Sequence, residues 1–153
     1  MRNIQQLLKA METIDFFSDF TKEEKEWLCE NGFLEEYKPF SHLIIQGEAD
    51  QTLFVLISGL LDVTKSETPD KPLAELTPGS IFGEVAFFSD HLRTTNVVAK
   101  ERVLAFKLPK EKFQTMDANM KVKIQDQTIH VLLQRLEHMN ATFLRMARLK
   151  INN

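Results

Sequence analysis

Hydrophobic positions along the chain change their period twice, dividing it into helix, strand and helix again. Over residues 3 to 12, Ile4, Leu7, Leu8 and Met11 recur at helical spacing, and Ile14-Asp15-Phe16-Phe17 breaks the period. Thr21-Lys22-Glu23-Glu24 then reads as a capping box, the threonine hydroxyl accepting from a backbone N–H three residues on while Glu24 reaches back. The helix it opens runs through Trp27 and Leu28 and is expected to stop at Asn31-Gly32 in a left-handed C-terminus. From Phe33 to Leu108 short apolar runs separated by turns replace the helical pattern. Strands are expected near 33–39, 42–46, 52–58, 60–65, 73–77, 94–99 and 102–108. Gly47, Gly59 and Pro78-Gly79 mark the joints, and Ser66 to Pro72 supplies a polar hairpin loop. Many short strands with few helices between them predict an antiparallel roll or barrel.

After Pro109 the helical pattern returns, with a short helix over 110–116 and a long one over 119–149. In the long helix Ile129, Leu132, Leu136, Met139, Phe143 and Met146 alternate steps of three and four, a heptad seam. Leu133, Ala147 and Leu149 widen the stripe. The roll covers one side of such a helix, and a second copy of the helix is expected to cover the other, making a homodimer. A helix packed only on its own domain shows the same spacing and is the alternative. The expected fold is mainly β with flanking helices: a double-stranded, jelly-roll-like antiparallel β-roll between N-terminal helices and a long C-terminal helix. One domain is expected, with a helical segment over 1–32, the roll over 33–109 and the C-terminal helices over 110–153.

Composition narrows the classes. A chain of 153 residues, 43% hydrophobic and 27% charged, suits one globular domain. Its formal charge of −3 argues against direct binding to DNA, which needs a basic surface. The single cysteine, Cys29, cannot form an internal disulfide and reads as a small core residue, which suits a reducing compartment. The N-terminus lacks the apolar core of a signal peptide, and the longest apolar runs are far too short to span a membrane. A cytoplasmic location is expected.

Candidate chemistry concentrates between Leu76 and Val98, LTPGSIFGEVAFFSDHLRTTNVV. There Gly83-Glu84 and Arg93-Thr94-Thr95 tether a hydroxyl acceptor and a phosphate-forking arginine in one small loop. A ligand carrying both a ribose and a phosphodiester needs that arrangement. The segment resembles the phosphate-binding cassette of the cyclic nucleotide-binding domain family. IIQGEADQTLFVLISGLLDV likewise looks like the family's double hairpin, with Gly47 and Gly59 at the turns. The resemblance covers the chain from about Phe16 onward, with no insertion or deletion between Phe82-Gly83-Glu84 and Arg93. Two positions depart from the pattern: Leu92, where many members carry proline, and Asn96, where a small hydroxyl residue is usual.

The resemblance implies a binding set of Gly83, Glu84, Val85, Ala86, Arg93, Thr94 and Thr95, joined by Asn140 from the long helix. Glu84 would accept from the ribose 2′-hydroxyl, Arg93 would pair with the cyclic phosphate, and Gly83 would let the backbone approach the sugar. Residues 84–88 would form one helical turn whose backbone N–H groups, near Val85 and Ala86, face the phosphate. Met139 and Asn140 would close over the base, with seam packing the main role of Met139. By the resemblance Thr94 could accept from the 2-amino group of guanine, which points to cGMP, whereas bacterial relatives more usually bind cAMP; cAMP is the expected ligand. The competing explanation of the cassette is that Glu84 and Arg93 merely pair with each other across the loop.

Other chemistries find little support. His42, His91, His130 and His138 are scattered, and the last two lie two helical turns apart, too far to share an ion. No Gly-x-Ser-x-Gly elbow or Walker loop occurs, so neither a metal cofactor nor an enzymatic activity is expected. No helix-turn-helix is expected after Asn153. The expectation is therefore a cyclic-nucleotide sensor without an output domain of its own, passing its signal to a protein effector. A β-roll interaction module that binds no nucleotide is the alternative.

Overall fold

The structure, a computed structural model, describes residues 4–153. Helix α1 (Ile4–Glu12), a 3-10 turn (Asp15–Phe17) and α2 (Lys22–Asn31) precede the strands. Asn3, the first residue of the expected N-terminal helix, lies outside the described residues. The capping box forms as expected, Thr21 Oγ1 accepting from Glu24 N at 3.2 Å and Glu24 Oε1 accepting from Thr21 N at 3.0 Å. Glu24 Oε1 also receives the Lys123 ammonium at 2.5 Å, so the cap ties the N-terminal helices to the C-terminal one.

The end of α2 differs from the expectation. Gly32 sits at φ −96°, extended rather than left-handed. Glycine is needed there for room instead: a Cβ would lie 2.4 Å from the Phe106 ring.

The strands are β1 (Phe33–Tyr37), β2 (His42–Ile44), β3 (Leu53–Ser58), β4 (Leu61–Thr64), β5 (Ala74–Leu76), β6 (Ile81–Phe82), β7 (Asn96–Ala99) and β8 (Val103–Leu108). They form two four-stranded antiparallel sheets, ordered β1-β8-β3-β6 and β2-β7-β4-β5. Seven of the eight fall inside expected strands. The eighth, β6, is two residues long and too short to show alternation. It pairs Phe82 with Phe54 and Ile81 with Val55, which delivers the following Gly83-Glu84 to the end of the first sheet.

Alternation on β3 explains why Leu53-Phe54-Val55-Leu56 is apolar throughout. Leu53 and Val55 join Phe106 and Leu108 of β8 under the helices, in a core with Phe17, Leu28, Phe113 and Ile124. Phe54 and Leu56 point the other way, meeting Leu61, Phe82, Val97 and Ala105 between the two sheets. At β3 both faces of the first sheet are thus buried. Phe17 packs edge-on against Phe106, ring centroids 5.6 Å apart, locking the N-terminal turn to β8.

A short helix, α3 (Glu84–Phe88), lies between β6 and β7. Past β8 come α4 (Lys110–Thr115) and the long helix α5 (Ala118–Ile151). Asp117 caps α5 by accepting from Met120 N at 3.0 Å. Met120, Ile124 and Thr128 bury the first turns of α5 on the domain. Beyond Arg135 the helix leaves that surface, and its apolar residues there are exposed, Phe143 at 72% and Met139 at 66%. Among the described residues no helix is long and apolar enough to cross a membrane.

Candidate functional site

Gly83 begins the site. Its left-handed backbone, φ 80° and ψ 8°, turns the chain from β6 into α3, and Phe87 N closes the first helical turn on Gly83 O at 3.2 Å. Phe87 then buries completely and packs edge-on against Phe113 of α4 at 5.0 Å. Gln51 holds the far end of α3 by donating to Ala86 O at 3.2 Å and Ser89 O at 3.1 Å. Five residues of helix would not be stable alone, and these tertiary contacts are what keep them in place.

Arg93 faces this turn. Its backbone is clamped to the β2–β3 loop by two bonds of 2.8 Å, Arg93 N to Glu48 O and Gly47 N to Arg93 O. Its guanidinium is 4% exposed yet well partnered: Nη1 donates to Gly83 O at 2.8 Å, and Nη2 donates to Thr52 O at 2.7 Å and Asp50 Oδ2 at 2.8 Å. Burial pushes the Asp50 carboxyl up, but the bonds from Arg93 and Thr52 outweigh it and hold the carboxyl below its ordinary range. The remaining nitrogen, Arg93 Nε, is buried and has no partner. A planar cation that spends three of its five N–H groups on fixed oxygens and leaves Nε unpartnered is suited to receive an anion.

Glu84 and Arg93 do not pair with each other. Glu84, 8% exposed, instead accepts from Arg135 Nη1 of α5 at 2.5 Å. The same guanidinium donates through Nη2 to Ile81 O. Asp50 takes Arg93 and Arg135 takes Glu84. Among the described residues, the cross-loop pair that would explain the cassette without a ligand is therefore absent.

Between these groups lies a cavity of about 210 Å³. Gly83, Glu84, Val85, Ala86, Arg93, Thr94 and Thr95 all line it, together with Arg135. Ile44, Val63, Ala74, Leu76, Phe82 and Val97 form the rest of the wall, which is apolar. Seven of the eight residues expected at the site are therefore brought together. Asn140 is not among the lining residues; it lies on the exposed stretch of α5 beyond the domain.

A model of the cyclic nucleotide-binding domain matches residues 34–119, more than half of the chain. The chain belongs to the cyclic nucleotide-binding domain family. Among curated relatives, human cGMP-dependent protein kinase 2 is 37% identical over 75 residues, covering 47% of this chain and 10% of the kinase. The cAMP-dependent protein kinase regulatory subunit of Yarrowia lipolytica is 29% identical over 106 residues, covering 69% of this chain and 28% of that protein. The chain thus spans well under a third of the length of either. A cyclic nucleotide-binding domain from Methylobacillus flagellatus superposes with a TM-score of 0.78 at 20% identity, over 94% of this chain and 83% of that one, a likeness of fold.

Within this family member, two charged residues around the cavity, Asp50 and Arg135, escaped the sequence reading. Asp50 sits in a loop whose acids look like ordinary surface charge. Arg135 lies 51 residues from Glu84 on a helix where cations are common. Asn96, a departure from the family pattern, is buried and structural: its Oδ1 accepts from Gln46 N at 2.8 Å and its Nδ2 donates to Ser66 Oγ at 3.1 Å. It stitches β7 to the loops on either side, steadying the strand that follows Arg93-Thr94-Thr95. Lys65 adds a bond of 2.6 Å to Thr94 O.

Proposed function

We propose that this chain is a regulatory sensor of a 3′,5′-cyclic nucleotide rather than an enzyme. Glu84 would accept from the ribose 2′-hydroxyl and Arg93 would pair with the cyclic phosphate, with Gly83, Ala86 and the Thr94 and Thr95 hydroxyls completing the cradle. The observation that carries this reading is the buried Arg93 guanidinium, braced by Asp50, Thr52 O and Gly83 O with Nε unpaired, in one cavity with a glutamate it does not touch. The apolar remainder of the wall favours adenine, the less polar purine, so cAMP is the preferred ligand and cGMP the weaker one.

Two further parts belong to the same reading. The exposed stripe of α5, Ile129 through Met146, would pair with a second copy. The positions flanking it (Thr128, Leu133, Asn140, Thr142, Ala147, Leu149) carry no charge to repel a partner, and the flanking Arg135 is taken up by Glu84. The signal would pass through that helix to a protein effector.

The test is thermal unfolding with cAMP, cGMP and AMP in parallel. A ligand at a hundred times its dissociation constant stabilises the native state by about 2.7 kcal/mol. For a domain of this size that raises the midpoint by roughly 5–10 °C. A rise with cAMP, absent with AMP and absent in Arg93→Ala, is expected. No shift with either cyclic nucleotide at millimolar concentration would leave the interaction module, favoured by the exposed α5 stripe, as the surviving function.

A further inference from the structure

Thr94 and Thr95 line the cavity but belong to no helix or strand, so contacts on either side must place them. On the near side, the Arg93 backbone is clamped to the β2–β3 loop. On the far side the ladders stop short: β4 pairs with β7 as far as Thr64 and Asn96, and β2 pairs with it as far as Ile44 and Val97. Side chains take over at the residue where pairing ends.

Asn96 is that residue. Its side chain, in a residue 8% exposed, bridges two loops, Oδ1 accepting from Gln46 N at 2.8 Å and Nδ2 donating to Ser66 Oγ at 3.1 Å. Gln46 closes the same gap from its own side, Oε1 accepting from Ser66 N at 2.9 Å and Nε2 donating to Glu67 Oε1 at 3.1 Å. Lys65, next to Ser66, donates to Thr94 O at 2.6 Å. The β4–β5 hairpin loop is thus laced to the end of the cassette at Thr94 and at Asn96, with Thr95 between them. Strand register does not require this lacing, since Val97 and Val98 already pair with both neighbouring strands. A buried amide has to keep its partners, so the two loops and the end of the cassette hold one another in place.

Resting on the cyclic-nucleotide reading, we propose that Asn96 is a positioning residue that sets the Thr94 and Thr95 hydroxyls against the ligand by tying the β4–β5 loop to the end of the cassette. Asn96 does not line the cavity, so it acts through the threonines and not on the ligand.

The threonines separate this role from general support of the fold. Dissociation constants of cAMP are measured by titration calorimetry for wild type, Asn96→Ala, Thr94→Val with Thr95→Val, and all three substitutions together, with ligand-free melting to check the fold. Asn96→Ala is expected to weaken cAMP about tenfold, and the two threonine substitutions by a similar factor. Because Asn96 acts through the hydroxyls, the threonine substitutions should cost less than about twofold more once Asn96→Ala is present. Ser66→Ala removes one of the Asn96 bonds from an exposed position and should weaken cAMP about threefold, an effect that should also vanish alongside the threonine substitutions. It carries the test if Asn96→Ala does not fold. Losses that multiply in full would mean that Asn96 supports the fold without placing the threonines, and would overturn the proposal. Unchanged affinity in folded Asn96→Ala and in Ser66→Ala would overturn it as well. If wild type binds no cyclic nucleotide, the cyclic-nucleotide reading itself fails, and this inference with it.

Discussion

Replacing Gly83 by alanine probes how closely the cassette is built. Gly83 stands at φ +80°, and a Cβ there would lie 2.8 Å from Arg93 Nη1, 2.8 Å from Thr52 O and 3.3 Å from Ile44 Cδ1. The left-handed backbone alone costs a residue with a side chain about 1–2 kcal/mol. The contact with Thr52 O adds about 1–3 kcal/mol, because a backbone carbonyl at the start of β3 cannot swing aside as a side chain would. Gly79 provides the control: at φ +94° it is equally left-handed, but a Cβ there would meet nothing within 4 Å. Any gain from a less flexible unfolded chain is common to both variants and cancels. The difference between them is then the steric part alone, and for a domain of this size it lowers the midpoint of Gly83→Ala roughly 2–12 °C below that of Gly79→Ala. Differential scanning calorimetry without ligand measures it. Because the displaced atom includes Arg93 Nη1, cyclic-nucleotide affinity should also fall at least about tenfold in Gly83→Ala and stay near wild type in Gly79→Ala. Matching midpoints and matching affinities for the two variants would refute the close approach of Gly83 to Arg93 and Thr52.

Phe40 is left-handed as well, φ 68°, and 81% exposed, so Phe40→Gly should raise the midpoint slightly, by about 0.5–1 kcal/mol of stability; a lower midpoint would mean the ring makes stabilising contacts. The α5 stripe predicts that wild type sediments as a dimer at micromolar concentration and Phe143→Glu as a monomer with an unchanged melting domain; a monomeric wild type would sink the helix pairing. Asp50 and Glu24 both titrate below their ordinary range: burial opposes this in each, and it is outweighed by Arg93 and Thr52 at Asp50, and by Lys123 and Thr21 at Glu24. Folded values below unfolded ones mean that their stabilisation is complete above the unfolded carboxylate pKa, about 4, and is lost as pH falls through the folded values. Melting midpoints should hold steady from about pH 7 to 5 and drop below about pH 4, less steeply in Asp50→Asn; an equal drop in that variant would exclude the Asp50–Arg93 pair as a contributor.

How much of the fold and site was legible in the sequence follows from the range of the interactions concerned. The capping box and the run Leu53-Phe54-Val55-Leu56 are local signals, written within a few residues, and the structure realises both. β6 was invisible because two residues carry no period; its existence depends on β3 lying alongside. Gly32 was legible as a helix end but not in its reason, since the Phe106 ring that excludes a side chain is distant in sequence and adjacent only in the fold. The site divides in the same way. Gly83, Glu84 and Arg93 sit in one segment, and their spacing announced a cassette. The counter-charges of that cassette lie elsewhere: Asp50 and Arg135 reach it from a hairpin loop and from the far helix. Each charged member of the site is thus held by an opposite charge from outside the motif. An isolated buried charge is too costly to keep, so burial of Arg93 to 4% and Glu84 to 8% demands such a partner beside each. The demand is general, but which element answers it depends on contacts between residues far apart in the chain. For Glu84 the answer is α5. The helix that supplies this counter-charge is thereby joined to the cavity wall, through Arg135.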